Sequence, residues 1–192
     1  LGIKLQALND ENKLCVLSLD EKQLRPYIEY DKSLKKYVGL VSDEFANSDD
    51  PTVANHALVF VLRGLPVHWK QVIAYVLTGN STNPHKLWNF FTNINECLYS
   101  HGLLVKCITS DMGANNVGMW GVVVVHSIRN QVSCKISHPC KPDEKIYFVA
   151  DVPHILKNIR NCLLSQNIIL PDDIVASNEF TSNTVSIKHV QS

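Results

Sequence analysis

Residues 103–116 read LLVKCITSDMGANN, and this stretch decides the fold. Leu103 to Thr109 is an apolar run of strand length, and Ser110-Asp111-Met112-Gly113 ends it with turn-forming residues. Just upstream the apolar period changes. From Pro84, the residues Leu87, Phe90, Phe91, Ile94, Cys97 and Leu98 fall on one face of a helix. Asn83 is placed to cap that helix, Pro84 occupies its first turn and Gly102 stands just past its end. A helix leading into a buried strand is the crossover unit from which parallel sheets are made.

Working outward, Lys13 to Asp20 (KLCVLSLD) predicts a first strand closed by an acid, and Tyr37 to Val41 a second, weaker one. Asp43 to Pro51 is an acidic loop, and His56–Leu65 and Gln71–Thr78 form a hairpin across Pro66–Lys70. Downstream, the pattern predicts a helix from about Ala114 to Ile128, strands over Val132–Ile136 and Ile146–Ala150 around a Pro139–Glu144 loop, and an amphipathic helix over Pro153–Leu164. Strands alternating with helices predict an α/β fold: a mixed, partly parallel sheet with helices on both faces and ligands outside the strand ends. The strands Lys13–Asp20, His56–Leu65 and Gln71–Thr78 should form an antiparallel unit, with Leu103–Thr109 parallel to the first.

Composition limits the function classes. Lysine plus arginine equals aspartate plus glutamate at 18 each, so no net basic field argues for nucleic acid. No run approaches the roughly 20 apolar residues of a membrane span, and Leu1-Gly2-Ile3-Lys4 lacks a signal layout, which predicts an intracellular protein. A start without methionine and a polar end at Gln191-Ser192 suggest excision from a longer polypeptide. The six cysteines, in mostly apolar contexts, read as reduced, buried thiols. Cys134, His138 and Cys140 form one metal-like cluster, but no second ligand pair stands at zinc-finger spacing.

Three acids directly follow hydrophobic runs: Asp20 (LCVLSLD), Asp111 (LLVKCITSD) and Asp151 (IYFVAD). A strand buried on both faces excludes an unpaired carboxylate from its middle, but at its end the group reaches solvent or a cation. Mg²⁺ takes oxygen ligands, usually one or two carboxylates plus substrate phosphates, so acids gathered at strand ends fit phosphodiester chemistry. Aspartate after a strand is equally a turn former or helix cap, and spacing alone does not separate the two readings. In DVPHILKNIRN, His154 could lie near such a metal while Lys157 and Arg160 face DNA phosphates. Alternatively His154 and Asn158 are structural, with Ile155, Leu156, Ile159 and Leu163 burying one helix face. Asn115 and Asn116 could tie down a turn, and Trp69, Trp88 and Trp120 read as core.

Four segments together resemble the P-element transposase family: LSLDEKQLRPYIEYDKSLKKYVG, HALVFVLRGLPVHWKQVIAYVLTG, CITSDMGANNVGMW and YFVADVPHILKNIRNCLL. The resemblance runs from about Leu14 to Leu164, and its most specific parts are the SDxGxNN and DxPHxLKNxRN motifs. It implies a ribonuclease H-like catalytic domain, incomplete at its C-terminus, over residues 1–165, and the beginning of a helical, guanine-nucleotide-binding insertion over 166–192. Metal-dependent DNA cleavage and strand transfer would use Asp20 and Asp111 as catalytic metal ligands, with Asp43 as runner-up to Asp20. Asp151, His154 and Asn158 are further motif residues, and Lys157 and Arg160 the DNA-contact candidates. The resemblance also implies Mg²⁺ or Mn²⁺ as cofactor, GTP in the full-length protein, DNA ends and target as partners, a homo-oligomer, a nuclear location and no membrane. In this family a third acid, a glutamate, follows the insertion, and a zinc-coordinating DNA-binding module precedes the catalytic domain, so these 192 residues alone should not catalyse. The rival from another class is a domesticated, non-catalytic relative acting as a DNA- or protein-binding module. A nucleotide-binding doubly wound protein fits less well, because neither GxGxxG nor GxxxxGK[ST] occurs.

Overall fold

A computed structural model of the chain describes residues 9–46, 51–123, 126–128 and 131–186. After a short 3₁₀ turn (Asp10–Lys13), strand β1 (Leu14–Gln23) runs through the middle of a six-stranded sheet. It pairs antiparallel with β4 (His56–Gly64), which pairs antiparallel with β5 (Lys70–Thr78). On its other side β1 lies parallel to β6 (Leu104–Ser110), β6 lies parallel to β10 (Lys141–Ala150), and β9 (Lys135–His138) closes that edge antiparallel to β10. The order β5-β4-β1-β6-β10-β9 is the expected mixed sheet, with its antiparallel unit and its parallel Leu104 strand where the sequence predicts them.

Helix α1 (Pro84–Ser100) supplies the connection from β5 to β6, and its ends follow from local chemistry. Asn83 accepts hydrogen bonds at Oδ1 from the backbone N–H groups of His85 (2.9 Å) and Lys86 (3.3 Å). At the other end Gly102 takes φ +79°, a conformation cheap only for glycine, so that its N–H reaches Tyr99 O and that of Leu103 reaches Leu98 O. The chain thereby leaves the helix pointing into β6.

The core lies between one face of the sheet and helices α1 and α2 (Ala114–Val122). Alternation along β1 sends Cys15, Leu17 and Leu19 into it, where they meet Phe60 and Leu62 of β4, Val105 and Ile108 of β6, and Leu87 and Phe91 of α1. Trp120 of α2 meets Phe148 of β10 edge-on at 5.7 Å, and Trp69 and Trp88 pack partly buried against the same cluster. Each such side chain contributes about 1.5–3 kcal/mol by leaving water. Both helices of this unit pack into that one core.

Several predicted elements differ. Instead of a strand over Tyr37–Val41, Lys36–Val38 (β3) pairs with Glu29–Asp31 (β2) in a small hairpin outside the main sheet, because Gly39 at φ +94° ends it; Leu40 makes an isolated bridge to Val53. Helix α2 stops at Val122 rather than Ile128, where the β-branched run Val122–Val125 loses side-chain freedom in a helix. His126–Ile128 (β7) instead pairs with Gln131–Ser133 (β8). The predicted Val132–Ile136 strand is divided at Cys134 between β8 and β9, and the predicted Pro139–Glu144 loop shrinks to a turn because β10 already begins at Lys141. That first half of β10 is mostly exposed and charged, so it carries no apolar signal. Of the predicted acidic loop, residues 47–50 lie outside the described residues. The thiols are free, but Cys97, Cys134 and Cys162 are exposed against the expectation of burial; only Cys15 is buried, which pushes its thiol up to about 12.

Contacts divide the chain into two units at Ala150/Asp151. The second contains α3 (Val152–Ser165), β11 (Ile168–Ile169) paired with β12 (Thr184–Val185), and α4 (Asp172–Ser177) between them. Helix α3 has no buried residue: Leu156 is 61% and Ile159 44% exposed, against the expectation that they bury one face. Amphipathic spacing specifies a face, not what covers it.

Candidate functional site

The parallel pairing of β1 with β6 sets the geometry of the two strand-end acids. Its last paired residues are Leu17 with Ile108 and Ser18 with Thr109. Asp20 stands two residues past Ser18 on β1, and Asp111 two residues past Thr109, just beyond the end of β6. Neighbouring strands lie about 4.8 Å apart, so the paired backbones just before the two acids run close together. Asp20 is exposed on a strand that continues to Gln23 beside β4, while Asp111 is half-buried where the chain leaves β6.

Asp111 is held in place. Its Oδ1 accepts from the Gly113 N–H at 2.9 Å and from Asn116 Nδ2 at 2.7 Å. Asn116 is itself buried on the first turn of α2, and Gly113 precedes that helix, so the turn of SDMGANN and the helix start fix one carboxylate oxygen while Oδ2 remains available. Asn115 serves the same turn differently: its Oδ1 accepts from the Thr82 N–H at 3.2 Å, tying the loop before α1 to the start of α2. Both asparagines are thus turn ties, and Asn116 is in addition the positioning partner of an acid.

Asp43, the runner-up, is exposed in a turn outside the six-stranded sheet. In the second unit, Asp151 precedes α3 and its Oδ2 lies 2.6 Å from His154 Nδ1, so the two motif residues pair with each other. Lys157, Asn158 and Arg160 are exposed on α3, and the Arg160 guanidinium donates to Asn161 Oδ1 at 3.1 Å. In the trio Cys134, His138 and Cys140, His138 is buried with Nδ1 accepting from the Cys140 N–H at 3.1 Å. Among the described residues no group of three or more His, Cys, Asp or Glu could hold a metal ion.

Sequence reasoning missed Asn95. It is fully buried on the apolar face of α1, four residues after Phe91, with neither amide atom hydrogen-bonded among the described residues. Its spacing from Leu87 and Phe91 is the signal that could have found it.

Residues 1–123 match the family described as TNP-like, RNase H N-terminal domain. A curated relative, the transposable element P transposase of Drosophila melanogaster, is 29% identical over 154 residues, covering 80% of this chain and 18% of its own length. The human DNA transposase THAP9 is 22% identical over 149 residues, 77% of this chain and 16% of its own. The chain therefore spans less than a fifth of either relative. Among solved structures, the Drosophila P element transposase strand transfer complex superposes with a TM-score of 0.73 over all of this chain and 37% of its own, at 24% identity, a likeness of fold.

Proposed function

This chain belongs to the P-element-type transposase family, through its TNP-like RNase H N-terminal domain, and from that membership we propose that it supplies two of the catalytic carboxylates of a DNA-cleaving and strand-transferring enzyme. The observation that supports the reading is the parallel β1–β6 pairing, whose last partners, Ser18 and Thr109, each stand two residues before one of the two acids.

The donor set fits a hard divalent cation. Two carboxylates suit Mg²⁺ or Mn²⁺, which take oxygen ligands, and the fixed Asp111 Oδ1 leaves Oδ2 to turn toward a shared ion. When bound, such ions activate the attacking oxygen and stabilise the leaving one in phosphodiester cleavage. The protein's part is positional. Asn116 and the Gly113 N–H orient Asp111, and β1 holds Asp20 at the depth its register dictates. DNA is the proposed substrate and the nucleus the proposed location. Guanine nucleotide and homo-oligomerisation belong to the proposed full-length protein, with Lys157 and Arg160 as further DNA contacts there. The family's third acid lies beyond its insertion, so these 192 residues are proposed to bind metal weakly and not to cleave DNA.

A Mn²⁺ titration of the purified chain tests the reading. Weak binding that falls in both Asp20→Asn and Asp111→Asn supports it, since an amide removes the charge while nearly preserving shape. Equal Mn²⁺ binding by wild type and both variants would show that these residues do not form the site.

A further inference from the structure

The small β2–β3 hairpin is left unused by the site, and its surface chemistry is segregated. The chain as a whole is electrically balanced, yet residues 21–41 carry five cations (Lys22, Arg25, Lys32, Lys35, Lys36) against three carboxylates (Glu21, Glu29, Asp31). One carboxylate is already engaged: Asp31 Oδ1 accepts from the N–H groups of Ser33 (2.7 Å) and Leu34 (3.0 Å), shaping the turn that presents Lys32 and Lys35. Among the described residues none of the five cations forms an ion pair. Three tyrosines interleave with them at high exposure, Tyr27 at 67%, Tyr30 at 48% and Tyr37 at 64%. Tyr30 and Tyr37 are register partners, their rings edge-to-face at 5.2 Å.

The hairpin is anchored. Gly39 O accepts from Ala54 N at 2.9 Å, Leu24 N reaches Asn55 O at 2.7 Å, and Val41 N reaches Thr52 O at 2.8 Å. The two legs press together so closely that a Cβ on Gly39 would fall 1.9 Å from Tyr27 O. It follows β1 after residues 24–28, so its first leg begins nine residues beyond Asp20 (29 − 20). The cross-strand aromatic pair adds at most about 1 kcal/mol to the ribbon and leaves most of both rings in water, and unpaired cations held on a fixed scaffold suit a polyanion.

We propose that this hairpin is a sequence-independent DNA contact, with Lys32 and Lys35 at the turn and Lys22 and Arg25 at the base on the phosphates of duplex DNA, and Tyr30 and Tyr37 packed against the sugar backbone. The proposal rests on the reading that the protein acts on DNA. Phosphate contacts of this kind fix the position of a duplex without reading its bases.

The test measures binding of the 192-residue chain to a fluorescent duplex of arbitrary sequence, without divalent metal, over about 50 to 200 mM salt. Wild type is expected to bind with a salt-dependent affinity, and Lys32→Gln with Lys35→Gln to lower the slope of log affinity against log salt by about 2, near 0.9 per lost contact. Lys32→Arg with Lys35→Arg should retain the wild-type slope. Tyr30→Ala with Tyr37→Ala should weaken binding at unchanged slope. Wild-type binding that all variants share equally overturns the hairpin's role while leaving the DNA reading intact, and no duplex binding by wild type overturns both. Loss of self-association in the tyrosine variant, with DNA affinity unaltered, would assign the ring pair to a protein interface and overturn its DNA role.

Discussion

Replacing a fully buried core residue usually destabilises, but Asn95→Leu is expected to stabilise. Asn95 is 0% exposed on α1 among Leu87, Phe91 and Leu98, and both Oδ1 and Nδ2 lack a partner among the described residues. Leaving a buried polar group unpaired costs about 1–3 kcal/mol, and here there are two on one side chain. Leucine has the same branched skeleton, with methyls in place of the oxygen and the amino group. Each buried methyl adds about 0.8 kcal/mol and leucine's helix propensity adds about 0.5. Methyls are bulkier than the atoms they replace, and overpacking of a tight core costs about 1–3 kcal/mol. The net expectation is a gain of about 2–4 kcal/mol, or roughly 5–12 °C in melting temperature for a chain of this size. Thermal melts by circular dichroism at matched concentration read the difference. A melting temperature lowered by several degrees would refute the reasoning, because it would mean that the amide is satisfied in the folded protein.

Two further outcomes follow from features away from the acids. Burial, followed by the nearby Lys106 charge, holds the His138 imidazole below its usual 6.5, with Lys141 adding to the effect and Glu144 opposing it; the unfolded chain therefore takes up the proton first as pH falls, and stability should drop from about 6.5 toward the depressed folded value and level off below it, at no more than about 1.4 kcal/mol per pH unit. Urea unfolding of wild type and His138→Leu at about pH 7.5 and pH 5 should show the gap between them shifting in favour of the variant on acidification; a constant gap refutes the linkage. At the hairpin base, Gly39→Ala must place a Cβ against Tyr27 O at a positive φ, so a loss of at least about 2 kcal/mol is expected, and unchanged chemical unfolding would refute the packing of the two legs.

The main sheet was legible because most of its strands are apolar runs and because α1 is marked at both ends, by Asn83 and Pro84 at its start and Gly102 past its end, with a periodic face between. The three acids were legible because each stands where a buried run stops, although Asp20 does not close its strand, since β1 runs on exposed beside β4 to Gln23. What escaped lacks a hydrophobic period. The β2–β3 hairpin is held by a turn-forming aspartate and by backbone contacts to residues 52–55, and the first half of β10 is an exposed charged arm. The early end of α2 was a competition between apolar periodicity and β-branching, and branching prevailed. The pairing of Asp111 with Asn116 was half legible: SDMGANN announced a turn, but which asparagine reaches the acid depends on the rotation of α2.

Because β1 and β6 are neighbours in space but far apart along the chain, the stretches that lead to Asp20 and Asp111, 91 residues from each other (111 − 20), come alongside each other only when the sheet is finished. Nothing local brings them together: the hairpin of β4 and β5 can close early, and α1 can coil on its own signals, without either event setting the two carboxylates side by side. Pairing at this sequence distance bears the largest loop-closure cost in the sheet and is expected late in folding. A nascent or half-folded chain therefore keeps its two acids apart, so any capacity to gather a metal ion on them arises with the completed fold and vanishes as soon as β1 and β6 part.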